Sequence, residues 1–231
     1  IWSPVMAWTQ GPAWGDYDGD GDLDLVEGGD YGDRPNRLYR NDEGTLTTTA
    51  VWSSAEADDP VTSVAWGDYD GDGDLDLAVG NGCYATGCYP ARLYRNDGGV
   101  LATEAVWSST ELDSSTSVAW GDYDADGDLD LAVGNDGAPN RLYRNDGGML
   151  TAEAVWSSNE ADMTESLAWG DYDGDGDLDL ATGNDHVPNR LYRNDRGMLT
   201  REAAWSSTEA DTTASVAWGD YDGDGDLDLA V

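Results

Sequence analysis

The chain has 231 residues, with 48 acidic and 11 basic side chains, which gives a formal net charge of -37 at pH 7. This acidity disfavours nucleic acid and anionic membranes as partners and favours cations. Its sequence contains no apolar run of about 18 residues that would insert into a membrane. The chain starts at Ile1 without an initiator Met or a signal peptide, which we interpret as a processed or trimmed start.

The first recognisable elements are "IWS" at residues 1–3 and an Asp-rich string, "GDYDGDGDLDL", that starts at Gly15. This string returns, almost letter for letter, from residues 67, 121, 170 and 219. Between the copies, the segments "NRLYRND" and "VWSS" recur, identically or in close variants. Self-similarity with a period of about 50 residues indicates a tandem-repeat architecture.

Each repeat contains short segments rich in Val, Leu, Trp and Tyr, separated by Gly, Asn, Asp and Pro, as is typical of strands joined by tight turns. In chain order, "SVAWGDY" predicts a first strand, "DLDLAVGN" a second, "NRLYRND" a third and "LTAEAVWSS" a fourth. Four antiparallel strands in each repeat predict an all-β fold, a β-propeller of four-stranded blades, with an open β-solenoid as the alternative. We expect one domain, residues 1–231, with repeats at approximately 11–55, 62–110, 116–159, 165–208 and 214–231.

The two ends of the chain predict how the propeller closes. Residues 1–3 match a fourth strand, whereas the chain stops at "DLDLAV", within a second strand. We therefore expect residues 1–3 to complete the last repeat, 214–231, and to remove an open sheet edge. The fifth repeat lacks a "NRLYRND" segment, so either the native chain continues past Val231 or another chain fills the gap. We favour a trimmed chain.

The Asp-rich string has the composition of a loop for a hard cation. Counted from Asp16, aspartates occupy positions 1, 3, 5, 7 and 9, and Gly21 at position 6 permits a sharp turn. Carboxylates together with a backbone carbonyl at position 7 suit Ca²⁺ better than Mg²⁺, and no soft ligand is offered to zinc or copper. An EF-hand is excluded because the flanks are predicted strands and its position-12 glutamate occurs once, as Glu27. The alternative is a solvated acidic turn, in which neighbouring carboxylates would repel by on the order of 1–4 kcal/mol per pair.

The whole chain resembles the FG-GAP or VCBS-type repeats, the calcium-binding β-propeller blades that are also found in integrin α-subunit heads. The resemblance rests on the five Asp-rich strings, on Trp-Gly in place of the Phe-Gly that names the family, and on Gly137, Ala138 and Pro139, which spell "GAP". It implies one Ca²⁺ between the first and second strands of each blade, five in all.

By position, the resemblance implies that the carboxylates at positions 1, 3, 5 and 9 and the carbonyl at position 7 bind the ion. In the third repeat Ala125 replaces a loop glycine at a non-ligand position, and we expect that site to persist. The implied metal-binding residues are Asp16, Asp18, Asp20, Asp22 and Asp24; Asp68, Asp70, Asp72, Asp74 and Asp76; Asp122, Asp124, Asp126, Asp128 and Asp130; Asp171, Asp173, Asp175, Asp177 and Asp179; and Asp220, Asp222, Asp224, Asp226 and Asp228.

The two cysteines, Cys83 and Cys88, lie close together in "NGCYATGCYP". No histidine or further cysteine nearby completes a zinc site. We expect a local disulfide that closes a surface loop, and the alternative is two free thiols in a reducing cytosol. A disulfide predicts an extracellular protein, either secreted or at the cell surface.

Other candidate residues receive structural interpretations. We expect the repeated Trp residues to pack between blades rather than to stack on sugars, with Trp8 as the better candidate for exposure. Pairs such as Arg37 and Arg40 are expected to pair with nearby aspartates rather than to bind a ligand. His186, the sole histidine, is interpreted as a surface residue of a loop. A calcium-dependent lyase is disfavoured because the chain has no lysine to act as a base, and we expect no enzymatic activity.

The sequence therefore predicts a calcium-binding scaffold that presents variable loops to an unidentified protein or glycan ligand. The variable loops lie between the second and third strands, as "GGDYGDRP", "NGCYATGCYP", "NDGAP" and "NDHVP". A glycan-binding lectin is one alternative, and it predicts several equivalent aromatic pockets. A structural or assembly subunit of a larger surface protein or polymer is the other, and it fits the incomplete fifth repeat.

Overall fold

The computed structural model describes residues 10–29, 34–57, 59–84 and 87–231. Within these ranges the regular secondary structure consists of β-strands, which confirms the all-β prediction. This part of the chain contains no helix with the length and apolar character needed to cross a membrane. The predicted closing strand, residues 1–3, and Trp8 lie outside the described residues.

Four repeats each form a four-stranded antiparallel sheet whose strands are neighbours in chain order, and the fifth repeat forms a two-stranded sheet. Two short hairpins are added, Asn41–Asp42 with Thr45–Leu46 and Cys83–Tyr84 with Gly87–Cys88. The first strands are Gln10–Gly15, Val61–Gly67, Ser115–Gly121, Thr164–Gly170 and Ala217–Gly219; the second strands are Asp24–Gly28, Asp76–Asn81, Asp130–Asn135, Asp179–Asn184 and Asp228–Ala230; the third strands are Arg37–Tyr39, Arg92–Tyr94, Arg141–Tyr143 and Arg190–Tyr192; the fourth strands are Trp52–Ser53, Trp107–Ser108, Trp156–Ser157 and Trp205–Ser206.

The second strand is the most buried element of each complete repeat. All six residues of Asp76–Asn81, Asp130–Asn135 and Asp179–Asn184 are buried. Their sequences, such as "DLAVGN", combine apolar and small residues without polar alternation, which is typical of a strand covered on both faces. The aspartate that begins each of these strands is therefore carried into the interior.

The fourth strand is shorter than predicted, because only a Trp-Ser pair of each "LTAEAVWSS" segment is a strand. In the third repeat the backbone N–H of Thr151 donates to the carbonyl of Arg144, and that of Val155 donates to the carbonyl of Leu142, both at 2.8 Å. The residues between these two bonds form a bend that bulges away from the third strand. Strand pairing consequently resumes only at Trp156.

Contacts divide the chain into two compact units, Ile1–Asp113 and Ser114–Val231. The first unit contains the sheets of repeats one and two, and the second contains those of repeats three to five. The prediction that residues 1–231 form a single domain stays a prediction. The core of the first unit includes Val26, Leu38, Leu77, Val79 and Tyr94, and that of the second includes Ala132, Leu142, Trp156, Leu180 and Tyr192.

Within each unit, a first-strand tryptophan packs on the glycine that ends the first strand of the preceding repeat. A Cβ atom at Gly170 would lie 2.5 Å from Cδ1 of Trp218, and one at Gly15 would lie 2.6 Å from Cδ1 of Trp66. The indole nitrogen of Trp218 also donates to the carbonyl of Ala168 at 3.2 Å. These tryptophans pack between repeats as predicted, although Trp14, in the first repeat, is 55% exposed.

The fourth-strand tryptophan of repeat one contacts repeat two. Trp52 packs edge-to-face on Tyr94, with ring centroids 5.5 Å apart, and its indole nitrogen donates to the carbonyl of Ala102 at 3.1 Å. The hydroxyl of Tyr94 donates to Glu56, which follows the fourth strand of repeat one, at 2.9 Å. We call this set the junction contacts.

The junction contacts recur between repeats three and four. Trp156 packs edge-to-face on Tyr192 at 5.3 Å and donates to the carbonyl of Thr200 at 3.1 Å. The hydroxyl of Tyr192 donates to Glu160 at 3.2 Å. In both units, therefore, a tyrosine of the third strand holds its repeat against the preceding repeat through a ring contact and a hydrogen bond.

Several arginines pair with aspartates, as predicted for Arg40, whereas the pairing of Arg37 with an aspartate stays a prediction. Arg92, in a third strand, forms an ion pair with Asp59, and Arg40, which follows a third strand, lies 2.9 Å from Asp42. The side chains of the first pair are largely buried, whereas those of the second pair are exposed. Ion pairs exposed to solvent contribute little to stability, so the first is the more significant of the two.

The predicted disulfide between Cys83 and Cys88 is present. The two cysteines pair across the short hairpin formed by Cys83–Tyr84 and Gly87–Cys88. This hairpin lies in the variable loop between the second and third strands of repeat two. The disulfide therefore closes a surface loop, as expected.

Candidate metal centre

Each Asp-rich loop is a tight turn fixed by its own side chains. In the first repeat Asp16 accepts the backbone N–H groups of Asp20 and Gly21, at 3.1 and 3.0 Å. Asp20 in turn accepts the N–H of Asp22 at 2.9 Å. Gly19 and Gly21 have φ angles of 71° and 95°, in the left-handed region that glycine enters without steric cost.

The third loop keeps this turn although alanine replaces the first of its two glycines. Ala125 has a φ of 58°, so its backbone enters the left-handed region despite its Cβ. Asp122 still accepts the N–H groups of Asp126 and Gly127, both at 3.1 Å. The network of Asp122 therefore overrides the unfavourable backbone conformation and keeps the loop, while the expected persistence of its metal site stays a prediction.

Positions 1, 3 and 9 of every loop converge, with one carboxylate oxygen from each within 4.8 Å of the others. The position-5 carboxylate bonds within the turn instead, and the position-7 carboxylate of Asp22 accepts the N–H of Glu43 at 2.7 Å. The ligand roles predicted for position 5 and for the position-7 carbonyl stay predictions. The converging groups are Asp16, Asp18 and Asp24; Asp68, Asp70 and Asp76; Asp122, Asp124 and Asp130; Asp171, Asp173 and Asp179; and Asp220, Asp222 and Asp228.

The position-9 aspartate is fully buried in the four complete repeats. Asp76 accepts the backbone N–H of Tyr69 at 3.1 Å and that of Asn96 at 2.8 Å. These two bonds favour the charged form, but burial outweighs them and raises the pKa of Asp76 to about 7. Burial likewise raises the pKa of Asp130 to about 7. A neighbouring positive charge is therefore needed to keep these carboxyls fully ionised at neutral pH.

In repeats one to three the position-3 aspartates supply oxygens without a hydrogen-bond partner, whereas in repeat four Asp173 is paired with Arg193 at 2.9 Å. The Oδ1 atoms of Asp18, Asp70 and Asp124 are buried and accept no hydrogen bond. Burial is the main cause that raises the pKa of each of these carboxyls, and the neighbouring position-5 aspartate raises it further. A buried acceptor without a partner costs about 1–3 kcal/mol, and a bound cation would satisfy it. The donor set consists of hard oxygens alone, so the loops fit Ca²⁺.

An asparagine after the third strand joins neighbouring loops, which the sequence analysis did not identify. Asn96 Nδ2 donates to the carbonyl of Leu75 in its own loop, at 3.1 Å, and to that of Tyr17 in the loop of the preceding repeat, at 2.7 Å. In the second unit, Asn194 makes the same bond to the carbonyl of Tyr123, at 2.6 Å. The return of this asparagine in every "NRLYRND" segment was the available signal.

The loops also pack directly against the next repeat within a unit. A Cβ atom at Gly99 would lie 3.0 Å from Cβ of Asp18, and one at Gly197 would lie 2.8 Å from Cβ of Asp124. Both glycines follow a third strand, and both have positive φ angles. The position-3 aspartate is thus held between its own loop and the turn of the following repeat.

The fifth loop is built differently from the other four. Asp228, at position 9, is exposed and accepts only the N–H of Tyr221, at 2.9 Å. The strands described for its repeat are the two of a two-stranded sheet. The three aspartates of this loop converge while all remain exposed.

Among the residues that the structure describes, the groups of three carboxylate, histidine or cysteine side chains that could hold a metal are those of the Asp-rich loops. Glu27, at position 12, is buried and accepts the hydroxyl of Tyr39 at 2.9 Å, which agrees with the exclusion of an EF-hand. His186 is exposed in a variable loop, as predicted. The nearby hydroxyl of Thr212 donates to Asp185 and lies 3.5 Å from Nδ1 of His186. That hydroxyl is therefore not poised as a nucleophile with His186 as its base.

Comparisons with known proteins identify the family. The FG-GAP-like repeat model matches residues 16–79, 83–133, 122–182 and 178–231. No curated protein matches. Two similar solved structures are of BBS1N in complex with ARL6DN, one soaked with lead and one with mercury; their identities are 16% and 15% and their TM-scores 0.56 and 0.54. Each alignment covers 86% of this chain and 57% of the other. Because the identities are this low, the likeness shows the fold alone. The chain belongs to the FG-GAP-like repeat family, and its repeats are blades of a β-propeller.

Proposed function

We propose that this protein is a calcium-stabilised, non-enzymatic β-propeller scaffold that binds a protein partner through its variable loops. The observation that carries the proposal is the convergence of three carboxylates in each of five loops. In repeats one to three this convergence includes a buried oxygen without a partner, and in repeats two and three it includes a buried aspartate whose pKa is raised to about 7. A divalent cation would give the buried oxygens a partner and would also stabilise the ionised form of the buried aspartate.

The position of the loops explains why calcium would serve a scaffold. Within each unit a loop contacts the turn and the asparagine of the next repeat, through Asp18 with Gly99 and Tyr17 with Asn96. An ion that fixes the loop would therefore also fix the contact between neighbouring blades. Ca²⁺ would supply charge neutralisation and geometry there, and the residues of this chain would supply the oxygens.

The variable loops support a protein ligand more than a glycan. The loops of repeats three and four, "NDGAP" and "NDHVP", contain no Phe, Tyr or Trp, whereas the loop of repeat two contributes an exposed Tyr84 and a disulfide. A lectin with equivalent pockets would need similar aromatic side chains in each loop. The BBS1N structures are complexes with another protein, which is compatible with this choice. The disulfide supports an extracellular location, because such bonds persist in oxidising compartments.

Counting bound calcium tests the scaffold proposal. After equilibrium dialysis and elemental analysis, we expect about one ion per loop in the wild-type protein. The variant Asp124→Asn should bind about one ion fewer, because its loop loses a buried carboxylate. Asp136→Asn is the control, because it removes the same charge from an exposed position outside the Asp-rich loops. It should bind as many calcium ions as the wild type. Wild-type protein with most loops empty at millimolar calcium would contradict the proposal.

Binding arrays test the ligand class. We expect binding on an array of extracellular proteins and none on a glycan array. Replacement of residues 82–90 by the shorter loop of repeat three should abolish or reprogram this binding while bound calcium stays unchanged. A glycan signal that survives the loop replacement would favour the lectin alternative.

A further inference from the structure

The arginine that follows each third strand pairs with an aspartate, and its partner differs between repeats. In repeats one to three the partner is the aspartate two residues further along the chain. The guanidinium of Arg95 lies 2.5 Å from Asp97 and 3.9 Å from Asp70 of its loop, and that of Arg144 lies 2.6 Å from Asp146. These arginines are therefore near their loops but pair mainly with an aspartate outside them.

In repeat four the same arginine binds the loop itself. Nε of Arg193 lies 2.9 Å from Oδ2 of Asp173, and Nη2 lies 3.1 Å from Oδ2 of Asp175. These two carboxylates occupy positions 3 and 5 of the loop, so both are among the predicted calcium ligands. The fourth loop therefore already holds a positive charge of the chain's own at hydrogen-bonding distance.

One residue of repeat four accounts for this change of partner. The turn after the third strand reads "NDGG" in repeats two and three and "NDRG" in repeat four, so Arg196 replaces a glycine. Nε of Arg196 lies 3.8 Å from Asp195, the carboxylate whose counterparts pair with the arginine in the other repeats. The backbone of the turn is unchanged, because the N–H of Arg196 donates to Asp177 at 2.8 Å, the bond that Gly147 makes in repeat three. The difference between the repeats therefore lies in the added side chain.

We propose that Arg193 is an internal cation that lowers the affinity of the fourth loop for calcium, and that Arg196 directs it there by pairing with Asp195. This inference rests on the calcium binding proposed above. The guanidinium engages oxygens that the ion needs, and its charge repels the ion, so calcium has to displace it from the two carboxylates. The fourth loop consequently fills at a higher calcium concentration than the loops of repeats one to three.

The exposure of the two arginines makes this competition reversible. The side chain of Arg193 is 45% exposed, so it can leave the loop for solvent without disturbing the core. Arg196 is 89% exposed and Asp195 is 64% exposed, so the alternative partner of Arg193 is accessible as well. Partly exposed ion pairs are weak, and two of them would raise the Kd for calcium by about three- to tenfold. The fourth loop is thus weakened towards calcium but keeps its converging carboxylates.

Arginine side chains report on the loops one at a time in a calcium titration followed by NMR. Protein labelled with ¹⁵N-arginine gives an Nε signal for each of its 11 arginines, and the signal of Arg193 is assigned by its loss in Arg193→Gln. Buffered calcium is raised at a temperature below the melting temperature of the chelated protein. The signals of Arg95 and Arg144 should move first, and that of Arg193 should move at about three- to tenfold higher calcium.

Two variants test the roles of the two arginines separately. Arg196→Gly restores the sequence of repeats two and three at a position whose φ of 55° suits glycine. It should free Asp195 for Arg193 and move the midpoint of the Arg193 signal to that of the second and third loops. In calorimetry, the calcium step that Asp171→Asn removes identifies the fourth loop. Arg193→Gln should tighten that step by about three- to tenfold.

Arg201→Gln is the matched control, because it removes the same charge from an exposed arginine of the same repeat. It should leave both measurements as in the wild type, and an effect equal to that of Arg193→Gln would overturn the inference by attributing the change to net charge. A common midpoint for the three arginine signals, or an Arg193 midpoint that Arg196→Gly leaves unchanged, would overturn the inference while the calcium scaffold stands. Absence of calcium binding in every loop by equilibrium dialysis would overturn the inference and the proposed function together.

Discussion

The buried carboxyl of Asp76 sets a specific pH dependence. Burial raises its pKa, and that of Asp130, to about 7, whereas an aspartate in the unfolded chain has a pKa of about 3.9. Between these values the metal-free folded state binds more protons than the unfolded state. The free energy of unfolding of the metal-free protein is therefore greatest near pH 4, as far as these two groups determine it, and falls as the pH rises towards 7.

A bound cation reverses this sign. It stabilises the ionised carboxylates, which places their pKa values below that of the unfolded chain, so stability should then rise with pH over the same range. Urea unfolding between pH 4.5 and 7.5, in metal-free buffer and in saturating calcium, measures both slopes. Two slopes of the same sign would show that the ion does not engage the position-9 carboxylates.

Thr182 is a residue whose replacement should stabilise the protein. Its side chain is fully buried, and its hydroxyl has no hydrogen-bond partner, while valine occupies the same position in the second strands of repeats two and three. The variant Thr182→Val should raise the free energy of unfolding by about 1 kcal/mol, because it removes an unsatisfied buried polar group.

Thr164→Val is the control for this substitution. Thr164 is equally buried, but its hydroxyl donates to Asn184 at 2.9 Å and accepts from Asn140 at 3.1 Å. This variant should lower the free energy of unfolding by about 1–3 kcal/mol, since it leaves polar partners unsatisfied. Urea unfolding measures the free energy of unfolding of both variants. Destabilisation by Thr182→Val would contradict the interpretation that the hydroxyl of Thr182 is an unsatisfied buried polar group.

The sequence predicts the converging carboxylates better than it predicts their partners. Alternating aspartates in a glycine-containing string determine a local turn, so positions 1, 3 and 9 could be expected to meet. The bond from Asn96 to the carbonyl of Tyr17 joins residues that are 79 positions apart, and no local pattern encodes it. The hydrogen bond from Tyr39 to Glu27 likewise emerged only from the pairing of the second and third strands.

At the scale of the strand, the packing of adjacent sheets depends on glycine at one position. The last residue of a first strand faces the tryptophan of the next repeat, and a Cβ atom at Gly170 would lie 2.5 Å from the ring of Trp218. The variant Gly170→Ala should lower the free energy of unfolding by about 1–3 kcal/mol, because the ring must move to relieve the overlap.

Gly219 provides the control for this clash. It occupies the same place in its repeat, but a Cβ atom there meets no atom within 4 Å. Gly219→Ala should therefore change the free energy of unfolding by less than about 0.5 kcal/mol. Equal effects of the two substitutions in urea unfolding would show that backbone propensity, rather than the tryptophan, sets the need for glycine.

Strand ends show where prediction from the sequence stops. The first three strands follow from apolar segments bounded by Gly, Asn and Asp, and the structure confirms them. The segment "LTAEAVWSS" has the composition of a strand, yet in the third repeat it forms an isolated bridge at Leu150 and a strand of two residues, Trp156–Ser157. The bend before it depends on bonds to the carbonyls of Leu142 and Arg144, which exist only after the third strand is in place.

At the scale of the whole molecule, the period of about 50 residues was sufficient to predict a propeller. The number of blades and the closing strand do not follow from the period, because they depend on pairing between distant ends of the chain. The prediction that residues 1–3 close the last blade falls outside the described residues.

Removal of calcium should affect the stability of the entire protein. An ion that binds a folded loop and scarcely binds the unfolded chain stabilises by about 2.7 kcal/mol at a hundredfold excess over its Kd. Four loops with buried position-9 aspartates would together approach the whole stability of an ordinary domain, about 5–15 kcal/mol. Excess chelator should therefore lower the melting temperature by about 20–40 °C, as measured by calorimetry against protein in millimolar calcium.

High salt separates ion binding from general charge repulsion in this measurement. Sodium chloride screens the exposed part of the -37 charge, but it cannot satisfy buried carboxylate oxygens such as Oδ1 of Asp70. We expect added sodium chloride to restore only a few degrees to the chelated protein, whereas calcium restores the full value. If salt alone recovers the melting temperature, the loops are acidic turns whose repulsion needs only screening, and the calcium assignment is wrong. If chelation leaves the melting temperature unchanged, strand packing stabilises the fold without the metal.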